Sequence, residues 1–229
     1  MNHSRREFLF KAGALGGLLF LHPGSYSFLQ NNLPNVLIIG DSISIGYTPI
    51  VKEILGGKAT VSRPDENCQG TTKGVAKIDE WLGTTRWDVI HFNFGLHDLK
   101  HVHPVTGENS SNPADPLQAD LKTYRKNLEF IINRMKASGA KLILATTTPV
   151  PENTRPLRDP GMEVKYNQVA VKLAKKHKIT VNDLYSFALP VLSEIQRPEN
   201  VHFTDEGSRR LGERVAEAVL EVLGRGLSH

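Results

Sequence analysis

Asn35-Val36-Leu37-Ile38-Ile39-Gly40 runs directly into Asp41-Ser42-Ile43-Ser44. A short continuous apolar run without alternation, closed by glycine, is the pattern of a strand covered on both faces. Working outward, similar runs stand at Ala59–Ser62, Asp88–Phe94, Lys141–Thr146 and Ile179–Leu184. Helical patterns separate them. Leu117, Leu121, Tyr124, Leu128, Ile131 and Met135 recur at steps of four and three, one face of an α-helix. Asp115 and Pro116 supply an N-cap and a first-turn proline for it, and Gly139 a stop. Met162, Tyr166, Val169 and Leu173 repeat the pattern behind Asp159-Pro160, and Leu211, Val215, Val219 and Val222 predict a terminal helix. Thr48-Pro49 predicts the start of a helix ending at Gly56-Gly57. Parallel neighbours need crossover connections, so strands alternating with helices predict an α/β fold, a three-layer α/β/α sandwich with about five mostly parallel strands.

A chain of 229 residues suits one such domain with a short appendage. Charged residues at 23% and hydrophobic ones at 39% exclude wholesale disorder and a polytopic membrane protein. The net charge of +4 has no dense basic run behind it, so nucleic acid is not an expected partner. Cys68 is the single cysteine, which rules out an intrachain disulfide and a Cys-based zinc site.

The N-terminus is different. Ser4-Arg5-Arg6-Glu7-Phe8-Leu9-Phe10-Lys11 precedes an apolar run from Ala12 to Leu21, the pattern of an export signal and short for a permanent span. The arginine pair followed by Phe-Leu and lysine resembles the bacterial twin-arginine signal. Residues 1–28 are read as export signal and short linker, and 29–229 as the folded domain. Removing Arg5, Arg6, Lys11 and Glu7 takes away a net two positive charges and leaves about +2. The expected location is periplasmic or secreted, with membrane contact only through an uncleaved signal.

Ligands of open α/β sheets bind beyond the carboxyl ends of the strands. After the first run stands Gly40-Asp41-Ser42; after the second, Glu66-Asn67-Cys68-Gln69-Gly70; after the third, Gly95-Leu96-His97-Asp98; before the last helix, Glu199-Asn200-Val201-His202. A serine hydroxyl becomes a useful nucleophile when an imidazole takes its proton, and the imidazole needs an acceptor to hold its tautomer. Ser42, His202 and Glu199 supply those three types, and the spacing of the last two lets one turn carry both. Glycines after strands let backbone N–H groups approach an oxyanion. The serine is not in a G-x-S-x-G elbow, which argues against an α/β-hydrolase.

These four blocks resemble those of the SGNH (GDSL-type) hydrolases over nearly all of the chain after the signal. The resemblance implies a flavodoxin-like sandwich and a serine esterase without cofactor, acting on a small-molecule or glycan ester. Ser42 would be the nucleophile, the N–H groups of Ser42 and Gly70 would line the oxyanion hole, and Glu199 and His202 would occupy the Asp-x-x-His block. Two departures stand out. Block three usually reads Gly-x-Asn-Asp, its asparagine donating to the oxyanion; here His97 takes that place. Glutamate replaces aspartate at position 199.

Asp41 and Asp98 are expected to brace their loops, and Cys68 to be a small buried residue. His97, His101 and His103 admit a metal-dependent hydrolase, but Pro104 follows and no carboxylate stands at fixed spacing, so no metal is assigned. Arg155 and Arg158 could reach an anionic substrate, although solvated surface arginines are the expectation. The altered His97 and Glu199 keep open a non-catalytic carbohydrate-binding protein on the same scaffold. The segment Leu99–Pro116, rich in Pro, Asn, Ser and His, is a long connection of the kind that tends to be functional.

Overall fold

A computed structural model describes residues 33–224; the expected export signal, residues 1–28, lies outside them. Strands β1 (Asn35–Ile39), β2 (Thr60–Ser62), β3 (Val89–Phe92), β4 (Lys141–Ala145) and β5 (Thr180–Asn182) occupy the expected apolar runs. They form one parallel sheet in the order β2-β1-β3-β4-β5. This is the flavodoxin-like order, whose switch point lies between β1 and β3. The register pairs Val36 with Val89 and Ile39 with Phe92, so the two central strands end together.

The longer helices are α1 (Ser42–Ile54), α2 (Thr71–Leu82), α3 (Leu121–Ala137) and α4 (Met162–His177). Short α5 (Leu184–Ala188) and α6 (Leu192–Ile195) precede the terminal α7 (Asp205–Gly224). Leu37, Ile39, Ile90 and Phe92 pack on one face of the sheet with Ile78, Tyr124, Leu128 and Tyr166 of α2, α3 and α4. Val36, Ile38 and Val89 pack on the other with Tyr47, Val51, Leu211 and Val215 of α1 and α7. That is the alternation a sheet covered on both sides requires. Each such buried aliphatic side chain contributes about 1.5–3 kcal/mol relative to exposure.

Two helix starts differ from expectation. α1 begins at Ser42, directly behind Asp41, whose carboxylate accepts the Ile43 N–H at 2.9 Å. Pro49 therefore lies inside the helix. Its missing donor affects the carbonyl of Ile45, an exposed residue, which keeps the cost of the interruption low. α3 begins at Leu121 with Asp120 as cap, accepting from Thr123 N–H at 2.7 Å. Asp115 is instead engaged by Ser110 Oγ and Asn112 Nδ2, and the Pro116 carbonyl accepts from Val102 N–H, so this stretch is extended. Bridges Lys100↔Arg158, His101↔Leu117 and Val102↔Asn109 give the long connection a pinned, partly β-like form.

α7 lies tightly on α1: a Cβ placed on Gly212 would come within 2.8 Å of Ile50 Cβ. This packing brings the segment before α7 to the start of α1, and with it His202 to Ser42.

Candidate active site

Ser42 is the first residue of α1, placed at the carboxyl end of β1 by the Asp41 cap. Its Oγ lies 2.9 Å from Nε2 of His202. Behind the imidazole stands Asn200. His202 Nδ1 is 2.7 Å from Asn200 Oδ1, and the backbone N–H of His202 donates to the same oxygen at 2.9 Å. A backbone N–H has only the amide oxygen as partner, so that oxygen must face the ring. Nδ1 then carries the proton and Nε2 is left to accept from the Ser42 hydroxyl.

Contrary to expectation, Glu199 points away from the His202 ring. Its carboxylate accepts from Asn153 Nδ2 at 3.1 Å, and no hydrogen bond joins it to His202. The backbone explains the difference. Arg197-Pro198-Glu199-Asn200 is a turn closed by Asn200 N–H on the Arg197 carbonyl, and Glu199 has φ +50°. Proline at the second position and a left-handed third residue are the type II pattern. Glu199 thus occupies the outer corner and Asn200 faces the ring. The proline was the available signal, because it puts Glu199 at the corner.

Gly70 caps α2 and approaches the block-three loop closely; a Cβ there would lie 2.9 Å from Gln118 Nε2 and 3.1 Å from Asp98 Cγ. Asp98 braces this junction as expected, accepting the Thr71 N–H at 2.8 Å and the Thr71 hydroxyl. Burial pushes its carboxyl up to about 7, and that of Asp41 to about 6. Gly95 has φ +147°, and a side chain there would collide with Thr147 Oγ1, so only glycine makes the bend that delivers His97.

His97 is half-buried with Nδ1 enclosed and without a hydrogen-bond partner among the described residues. Burial, reinforced by Lys100 and Arg158, pushes its imidazole down to about 3. It is therefore a neutral ring at working pH. His202 is also held below the usual histidine range, by burial first and then by Arg197 and Arg158.

Arg158 is buried, not solvated. Its Nε donates to the Leu96 carbonyl at 2.7 Å and its Nη1 to the Pro156 carbonyl at 3.0 Å, clamping the loop that carries His97. The Lys100↔Arg158 bridge draws it there, whereas Arg155 stays exposed. His97, His101 and His103 do not converge as metal ligands. His101 spends Nδ1 on the Asp115 carbonyl at 2.7 Å and Nε2 on Asp159 at 3.1 Å, while His103 Nδ1 accepts the N–H groups of Val105 and Thr106. Among the described residues no three His, Cys, Asp or Glu side chains form a metal-holding group. Cys68 is buried beside β1, its N–H on the Gly40 carbonyl at 3.2 Å.

The role of Asn200 is open to a direct check. If its amide oxygen orients the imidazole, Asn200→Ala should lower kcat roughly tenfold to a hundredfold, and Glu199→Gln should change it less than about twofold. Asn200→Asp places a carboxylate behind His202 and raises its affinity for protons, so the acid limb of kcat/KM should move to higher pH. A large loss in Glu199→Gln, on the order of 10⁴ as for a removed triad acid, would return the role to Glu199.

The fold has solved counterparts. The chain is similar to the acetyl xylan esterase AlAXEase (TM-score 0.63, 18% identity, 81% of this chain and 99% of that one). It is likewise similar to the lipase/acylhydrolase from Enterococcus faecalis (0.67, 23%, 84% and 97%). A third similar structure is Axe2, an acetylxylan esterase from Geobacillus stearothermophilus (0.65, 16%, 81% and 94%). A search of curated proteins gives no match. The profile of the GDSL-like lipase/acylhydrolase family matches residues 38–210, from within β1 into α7 and so across all four blocks. The chain belongs to the GDSL-like lipase/acylhydrolase family and is a carboxylic ester hydrolase.

Proposed function

We propose that the protein is an exported serine esterase that removes a small acyl group, an O-acetyl group on a glycan being the best-supported substrate. The 2.9 Å contact between Ser42 Oγ and His202 Nε2 carries the reading, because it is the geometry in which an imidazole can take the hydroxyl proton. Ser42 attacks the ester carbonyl as His202 accepts its proton, with Asn200 holding the ring. The oxyanion is met by the N–H groups of Ser42 and Gly70 and by the neutral His97, whose outward nitrogen Nε2 is the donor. Collapse expels the alcohol, which takes the proton from His202. Water, deprotonated by the same imidazole, then hydrolyses the acyl-serine. The similarity to acetyl xylan esterases supports the acetyl assignment, and the arginine pair near the N-terminus supports export.

An aryl fluorophosphonate should add a single phosphonyl group, mapped to the peptide containing Ser42. Absence of label on that serine in active protein would remove the acyl-enzyme route. For export, Arg5→Lys with Arg6→Lys should retain the precursor inside a bacterial cell, since the receptor reads the arginine pair and not charge. Undiminished export of the double variant would leave a general signal in place of a twin-arginine one.

A further inference from the structure

Ser42 and His202 open onto a groove of about 340 Å³ that neither Gly70 nor His97 lines. His202 delivers the proton to the departing alcohol, while Gly70 and His97 serve the oxyanion. A groove that shares the first and not the second is therefore the place of the alcohol portion. Ile50 and Phe203 give it an apolar wall, and its charged members are Arg197 and Asp205. These two are not equivalent. Asp205 stands in the first turn of α7, where unpaired N–H groups already favour a negative charge. Arg197 is exposed, and its guanidinium makes no ion pair or hydrogen bond among the described residues. Its backbone is nonetheless fixed to the catalytic turn: its N–H donates to the His202 carbonyl at 3.0 Å and its carbonyl accepts from Asn200 N–H at 3.3 Å.

We propose that this groove selects esters whose alcohol portion carries a carboxylate, and that Arg197 is the group that holds it. The proposal rests on the serine-esterase reading and specifies its substrate class. The catalytic ring makes the same demand. His202 is backed by a neutral amide and lies in the field of two arginines, with no carboxylate in hydrogen-bond contact. A substrate anion seated on Arg197 offsets that field and lets the imidazole accept a proton more readily in the complex. An acylated uronic acid and an acylated hydroxybenzoate share this chemistry.

The test compares kcat/KM for 4-acetoxybenzoate and 4-acetoxybenzamide, esters of similar shape that differ in charge. The ratio of the two is followed from the wild type to Arg197→Gln and Arg197→Lys, so that intrinsic ester reactivity cancels. Arg197→Gln should lower the acid-to-amide ratio roughly two- to fivefold, the range of an exposed ion pair. Arg197→Lys should keep most of it, and added salt should lower the wild-type ratio. A ratio that Arg197→Gln leaves unchanged overturns the proposal while hydrolysis of both esters preserves the esterase. Failure of the folded wild type to hydrolyse either ester removes the esterase reading together with the proposal. Acetylated oligogalacturonides set against acetylated xylo-oligosaccharides then separate the sources. A uronate preference lost in Arg197→Gln assigns the anion to a sugar acid, and an effect confined to the aryl pair assigns it to a hydroxybenzoate.

Discussion

Ser42→Ala is expected to lower kcat for an aryl acetate by roughly 10⁴- to 10⁶-fold and to leave the melting temperature almost unchanged. The loss is large because the hydroxyl is the atom that bonds to the acyl carbon. Without it, only binding and the oxyanion donors remain, and they accelerate attack by water far less. The fold is expected to tolerate the change for a local reason. Ser42 is the first residue of α1, but the helix is capped by Asp41, whose carboxylate takes the Ile43 N–H. The serine hydroxyl contributes no cap, and the side chain is only half-buried. Kinetics with burst-phase detection and a thermal melt on the same preparations separate the two effects. Wild-type turnover in the alanine form would end the serine-esterase mechanism, whereas a large fall in melting temperature would show that Ser42 also supports the helix start.

How far the residues alone revealed this site depends on the kind of signal. The strands were readable because burial on both faces leaves continuous apolar runs, and their carboxyl ends marked Ser42, Gly70 and His97 as residues to inspect. Helix starts were less readable. Asp115-Pro116 has the right composition for a cap, yet Asp120 makes it, because the carboxylate of Asp115 is taken within its own loop by Ser110 and Asn112. Thr48-Pro49 does not start a helix for the opposite reason: packing of α1 against α7 and the Asp41 cap hold a helix through a proline that propensity disfavours. The partner of the His202 ring is not legible from residue type, because turn geometry decides which side chain faces it. Glutamate is the better match to an acid, but the Pro198 turn puts Glu199 at its corner and Asn200 against the ring. Arg158 could not be found by pattern. Its burial follows from a pairing with Lys100 between segments far apart in sequence.

His97→Ala should lower kcat by roughly 10²- to 10³-fold with little change in KM, about 3–4 kcal/mol of transition-state stabilisation. The split follows from when the interaction is made. A neutral imidazole N–H gives little to an ester carbonyl and much to the charge that develops on it, so the ground-state complex loses less than the transition state. Burial bears on the pH dependence. A free histidine would change charge near pH 6.5, but the ring is pushed down to about 3, so it remains a neutral donor across the working range. No limb of the kcat profile near pH 6.5 should belong to it; the acid limb belongs to His202, which must be deprotonated to act and is held below the usual histidine range, by burial first. His97→Asn supplies an amide N–H from a shorter side chain and should recover part of the loss. A purely structural role would appear differently, as a lowered melting temperature with activity restored on cooling and no separation of kcat from KM. An alanine form with unchanged kcat would remove His97 from the oxyanion hole and leave the Ser42 and Gly70 N–H groups to hold the charge alone.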